Sequence, residues 1–553
     1  MKKLLSIVLT AVCVLSLVTG GALAAKQSSV DTQINSAAES YLFALAENMW
    51  LYKSNDLSVG TIKEVLASNE LSPARLVSDG LKMEEINTYL EDITFAQEKA
   101  EYFKEMRQEQ NIQRNDFKAE YFFVPPEVDG NHATTFAVEH ISFHYPNFPD
   151  VLSEATNYYT IELMKLENEW VVVGVEAEND EFDEAFKGTG FVAENADSFF
   201  AAHEKNIASQ EEAIDALMNQ YGFIDENQMD DSQRQPLAAS NSVWYPYNAN
   251  NATAYAYTYV SQMFGKTDWD KISTADKNIG KTFYNANFKE FAGAGGDCQN
   301  FASQSIWAGF NGSNSPNQIY DASTGVYSPI MDSSGNFLWR GTVPDSSANS
   351  ASWTACNGKP GVIGFRKYIA GEYDSGDPDM IVTKGTLTSS QDFTGIYRNL
   401  KGALLHVNGG GHAIIVTDVN GPSRSDVLFC GHTSDRKALS IADMHGNDSI
   451  YYFIPQKIRV QNPPEVKITS VLKRPLPTGT SALFSGNTDI TCASIHIDVK
   501  SPSGVPYSNN ATNARNVSRT VTLSETGLYT VTITAKKTAT STPVLYVYTV
   551  RTY

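Results

Sequence analysis

Cys298 lies between a glycine turn and an amphipathic run, in Gly295-Gly296-Asp297-Cys298-Gln299-Asn300-Phe301-Ala302-Ser303-Gln304. Asp is a preferred helix N-cap, so this spacing predicts a helix that opens at Cys298. The positive end of a helix dipole favours a thiolate, the form of cysteine that attacks carbonyl carbon. The paired glycines let a substrate backbone come close to the sulfur. Amides at a helix start point toward developing negative charge, which makes Gly296, Asp297 and the Cys298 N–H the candidate oxyanion region. The chemistry these residues suit is nucleophilic attack on an acyl carbon. The structural alternative is a small buried cysteine at a helix start.

A thiolate needs a base, and the base needs an orienting partner. Of nine histidines, His412 follows three glycines and precedes the β-branched run Ile414-Ile415-Val416-Thr417, so it is expected at the open end of a buried strand. Asn420-Gly421-Pro422-Ser423 reads as a turn into a second strand, 426–432. A turn centred near Pro422 pairs residues whose numbers sum to 844. His412 then faces His432, with Cβ atoms roughly 5 Å apart. Asp418, six residues along the same strand, is about 20 Å away. Asp435 is the alternative orienter if the chain curls back after Thr433. Cys430 reads as a small core residue in mid-strand, remote from any helix dipole. His406 and His445 have no ligand-spaced companions, and HExxH and CxxC patterns are missing, so neither a metal nor a cofactor is expected.

The run GGDCQNFASQSIWAGF resembles the nucleophile segment of the putative amidase domain family of secreted Gram-positive bacterial proteins. Three further segments match in order: Tyr247-Asn248 with Ala254-Tyr255-Ala256, then Gly411-His412-Ala413-Ile414-Ile415-Val416-Thr417, then Gly431-His432-Thr433-Ser434-Asp435-Arg436. Together they span roughly residues 240 to 456. That family is similar to papain-like cysteine hydrolases, including NlpC-type peptidases and CHAP amidases. The resemblance implies a Cys-His-His site of Cys298, His412 and His432. The glutamine that papain carries upstream of its nucleophile has no counterpart, since Phe291 and Ala292 stand there, so a second oxyanion donor is missing from the pattern. Tyr247, Tyr255 and Trp353 are aromatic residues of the resembling segments that suit either a cleft wall or the core.

The chain begins as a secretory signal does. Lys2 and Lys3 precede an apolar stretch, 4–18, and Ala22-Leu23-Ala24 offers a small-residue cleavage site. That stretch is too short to span a bilayer. Without Cys13, four cysteines remain. If Cys298 stays free, a disulfide framework is not expected to hold a chain of this length. A net charge of −21 argues against nucleic acid. About 40 of the 63 acidic residues precede Trp244, and the dense run 176–184 lacks calcium-loop spacing and reads as a solvated surface.

Composition and periodicity divide the chain into a signal segment (1–24), an acidic N-terminal domain (25–225), a polar linker (226–242), the amidase-like domain (243–458) and a C-terminal domain (459–553). In the second, helical spacing covers 37–53 and 83–110, followed by alternating strands at 119–124, 135–143, 158–165 and 169–175, an α+β order. The last domain alternates over 495–499, 528–534 and 544–550, as an all-β sandwich does, and Thr526-Gly527-Leu528-Tyr529 resembles a strand entry of immunoglobulin-like domains. The expected fold class is therefore α+β, with a papain-like (NlpC-type) centre. The expected function is that of an exported, secreted or wall-associated cysteine hydrolase. It would cleave amide bonds, first of all in peptidoglycan stem peptides, with wall glycan as a further contact of the C-terminal domain. The alternative is a non-catalytic surface or wall-binding protein that keeps a hydrolase fold.

Overall fold

A computed structural model of the protein describes residues 20–67, 82–166, 168–177, 242–260, 285, 298–310, 380–407, 412–432, 435–461, 466, 468–470, 473, 476–541 and 543–552. The apolar stretch 4–18, most of the acidic run, most of the linker, Trp353 and the pair Gly296 and Asp297 lie outside the described residues. No described helix is long and apolar enough to cross a membrane.

Helices α1 (Gly20–Leu51), α2 (Ile62–Ala67) and α3 (Met83–Glu109) open the chain. In α3, Ile86, Ile93, Ala100 and Arg107 recur every seven residues, two helical turns, and all four are buried. The Lys82 amide donates to Glu85 Oε2 at 2.9 Å, which satisfies one orphan donor at the helix start. Strands β1 (Asn115–Phe123), β2 (Glu127–Asp129), β3 (His132–His144), β4 (Leu152–Leu166) and β5 (Glu169–Ala177) follow. The helix–strand order and the β4–β5 hairpin agree with the sequence pattern.

The amidase-like part contributes β6 (Ser242–Pro246), α4 (Ala249–Tyr259), α5 (Cys298–Gly309), β7 (Met380–Leu387), β8 (Leu404–Val407), β9 (His412–Val419), β10 (Val427–Gly431), β11 (Asp435–Ser440), α6 (Ile441–His445) and β12 (Ile450–Gln461). Helix α4 starts at Asn248, whose side-chain oxygen accepts from the amides of Asn250 and Asn251. These strands and the N-terminal ones form one twelve-stranded sheet in the order β1-β3-β4-β11-β10-β9-β8-β12-β6, with β2, β5 and β7 on β3, β4 and β12. The join is antiparallel: Asp435 pairs Thr156, Arg436 pairs Ala155 and Lys437 pairs Glu154. The acidic segment therefore continues the sheet of the amidase-like segment. Periodicity shows where strands are but not which strands they pair with.

A buried ion cluster also ties the two segments together. Asp443 of α6 sits 2.5 Å from Arg107 Nε and 2.7 Å from Arg114 Nη2, and accepts from the Tyr145 hydroxyl at 2.5 Å. Burial pushes the Asp443 carboxyl up, but the Arg114 and Arg107 guanidiniums outweigh it and hold the carboxyl below its ordinary value. Asp443→Asn should therefore cost about 3–5 kcal/mol at neutral pH, because two guanidiniums stay buried without their carboxylate. A folded-state value below the unfolded one stabilises above the unfolded carboxyl pKa, and that stabilisation fades as pH falls through the folded value. Urea denaturation across pH should show the difference between wild type and variant narrowing in acid; a constant difference would contradict the assignment.

The remaining strands, β13 (Ile468–Ser470), β14 (Ser481–Lys500), β15 (Pro506–Thr522), β16 (Gly527–Lys536) and β17 (Val544–Thr552), form a separate five-stranded antiparallel sheet. Ile495, Ile497 and Val499 of β14 pack with Tyr529, Val531 and Ile533 of β16 in a core of its own, the period of two seen in the sequence. Gly486 is required there, since a Cβ would meet Ile533 Cγ2 at 2.7 Å.

Candidate active site

Helix α5 begins at Cys298, as the N-cap pattern predicts, and packs with α4 against one face of the sheet. The face is set by alternation: Leu404, Ala413, Ile415, Cys430 and Phe453 turn toward α5 in one core. Leu405, Val407, Ile414, Val416 and Phe429 turn to the opposite core, which holds α6 and the N-terminal helices. Polar side chains lace the α5 side. Tyr255 donates to Gln304 Oε1 at 2.6 Å, and Gln304 Nε2 donates to Asn300 Oδ1 at 3.0 Å. Tyr255 is thus core, and Tyr247 packs edge-on against Phe310 while donating to the Gly402 carbonyl.

The Ala413 amide donates to Cys298 Sγ at 3.4 Å. That nitrogen is bonded to the carbonyl carbon of His412, so the sulfur meets β9 one peptide from the histidine. The His412 ring itself leans to the other face. It lies 5.9 Å, centroid to centroid, from His445, and its Nε2 is 3.4 Å from where a Gly431 side chain would begin. A Cβ at position 431 would touch the imidazole at ordinary contact distance and press closer on Ile414 Cγ2, at 3.2 Å.

His432 belongs to the α5 face. Its ring stacks on Phe301 at 4.0 Å, one helical turn from Cys298, and its Nε2 lies 2.7 Å from the Tyr259 carbonyl oxygen. A carbonyl only accepts, so Nε2 carries the proton and Nδ1 is the basic nitrogen. The direct pairing of His412 with His432 expected from the sequence is corrected. The β9–β10 ladder pairs Val427 with Val419, then shifts at Leu428/Phe429 so that Cys430 pairs Ile415. Position numbers thus sum to 846 and then 845 rather than 844. The connector carries a short 3-10 turn at Arg424–Asp426, and a one-residue change exchanges sheet faces. Continued by two residues, the observed register sets His432 against Ala413.

The same row runs further. His406 pairs Ala413 on the β8 side, a position on the sulfur's face that its spacing in the sequence does not disclose. Gly431 pairs Arg436, which brings Asp435 opposite His432. Asp435 is buried, and the Tyr158 hydroxyl of β4 donates to it at 3.3 Å. Its neighbours in the row are Thr156 and His140, and His140 Nε2 is 3.2 Å from Glu154, which also holds Lys437. The N-terminal strands thereby extend the cysteine face with titratable side chains.

Cys298 is disulfide-bonded, and its partner is neither Cys430 nor Cys492, both of which are free. The expectation of a free sulfur is not met here, because it rested on the assumed chemistry and not on cysteine spacing. Cys430 is buried, with its thiol pushed up to about 12 by desolvation, as befits a core residue. Among the described residues no group of three His, Cys, Asp or Glu side chains suits a metal.

Residues 246–454 match the family model described as Putative amidase domain. The match takes in α4, α5, both histidines and β12 only as far as Ile454, well under half of the chain, and it supports an amide-bond hydrolase. No curated protein matches the chain.

Proposed function

We propose that the protein is an exported, wall-associated cysteine hydrolase of papain-like type, acting on amide bonds of peptidoglycan stem peptides. The observation that carries this reading is Cys298 at the start of α5, held by the amide next to His412. Once reduced, Cys298 gives its proton to His412, whose ring must first turn from the opposite face of the sheet toward the sulfur, and the sulfur bonds to the acyl carbon. The carbonyl electron pair moves to oxygen, toward the amides of Gly296, Asp297 and Cys298. When the pair returns, the C–N bond breaks and His412 protonates the departing amine. Water, deprotonated by His412, then cleaves the thioester to a carboxylate and restores the thiol. With its ring turned to that face, His412 is oriented by His432 or by Asp435 opposite His432. The C-terminal sheet, read as an immunoglobulin-like sandwich, meets wall glycan.

Purified peptidoglycan digested with the reduced protein should yield muropeptides split at one amide bond by mass spectrometry, and Cys298→Ser should yield none. Equal digests from the two would overturn the proposal. A second reading, a non-catalytic surface protein with a retained hydrolase fold, is favoured by the bonded state of Cys298.

A further inference from the structure

Gln299 follows the nucleophile and is fully buried, yet neither its Oε1 nor its Nε2 has a hydrogen-bond partner in the protein. The other polar side chains along α5 behave differently. Asn300 and Gln304 bond to each other, Ser303 donates to the Asn300 carbonyl and Ser305 to the Phe301 carbonyl. A buried carboxamide with both ends unmatched is costly and rare, and such groups call for a functional account. Side chains on a helix tilt toward its N-terminus. Gln299, the second residue of α5, therefore extends toward the helix start, where the first N–H groups have no partner within the helix.

We propose that Gln299 supplies the second oxyanion donor, its Nε2 donating to the oxygen of the acyl group that Cys298 attacks. This rests on the reading of Cys298 as nucleophile. As the S–C bond forms and the carbonyl pair shifts to oxygen, an N–H already fixed in a dry site stabilises the charge without reorganising. Gln299 exchanges no atom in the step. It would fill, from the downstream side of the cysteine, the role for which Phe291 and Ala292 upstream offer no donor.

The test compares two reactions of Cys298 in the reduced full chain. Acylation by p-nitrophenyl acetate passes through an oxyanion, and alkylation by iodoacetamide does not. Gln299→Met keeps the length and removes the donors; Gln299→Glu keeps the shape and, ionised, only accepts. Both should slow acylation by roughly tenfold to a thousandfold and leave alkylation within about twofold, read by mass spectrometry of the Cys298 peptide. Gln299→Met should also melt no lower than wild type, since it removes an unmatched buried amide. Acylation of Gln299→Met at the wild-type rate would overturn the inference. So would an equal slowing of both reactions, which would mean a displaced cysteine. If wild-type Cys298 reacts with neither reagent, the nucleophile reading fails first and this inference fails with it.

Discussion

Iodoacetamide should leave Cys298 unlabelled in the untreated protein and label it rapidly once the disulfide is reduced, a change of at least about a hundredfold. The reason is electronic. A sulfur in an S–S bond has no thiolate pair to offer, whereas the reduced sulfur sits at a helix start that favours the anion. Hydrolysis should follow the same switch, appearing with reductant and absent in Cys298→Ser with or without it. Cys430 is the internal control, because a buried thiol pushed up to about 12 holds almost no thiolate at neutral pH. The measurement is label per cysteine by mass spectrometry, before and after reduction. If reduced Cys298 reacts no faster than Cys430, the dipole confers nothing and the non-catalytic reading takes over.

Local signals in the sequence carried over well. Helix α3 occupies Met83–Glu109 where the periodicity covers 83–110, and α5 opens at the residue that the Asp-Cys step marks. His412 opens β9 after its glycines, as a residue at the mouth of a buried strand should. These features are encoded within a few residues and survive any tertiary context. The pairing of β4 with β11 is not encoded in that way: Asp435 and Thr156 are joined only by the folded sheet. The shift at Leu428/Phe429 is equally silent, yet it decides which sheet face His432 occupies. Gln299 was legible as a residue type, but its lack of partners emerges only when the rest of α5 is seen satisfied. The disulfide was hidden for a different reason, because a catalytic assumption argued the sulfur free.

The two histidines can be ranked by the pH dependence of the reduced enzyme. His412→Ala should lower the hydrolysis rate by about 10²- to 10⁴-fold, the range expected for loss of a general base. It should also confine alkylation of Cys298 to pH values near and above the free-thiol range of about 8.5, where wild type still reacts in mild acid. The case for His412 is its place on β9, one peptide from the amide that meets the sulfur. The case for His432 is electronic: Tyr259 fixes its proton on Nε2, and Phe301 holds the ring on the cysteine's own face. His432→Ala should therefore cost less, about tenfold, and leave the shape of the pH profile intact if it only orients the pair. His406→Ala, on the β8 side of the same row, should behave as a packing change, with a lower melting temperature and an unaltered profile. Should His432→Ala shift the profile and His412→Ala merely scale it, the base is His432. The proton path would then run from Cys298 to Nδ1 of the ring that Tyr259 anchors, and His412 would be left to shape the opposite face beside His445.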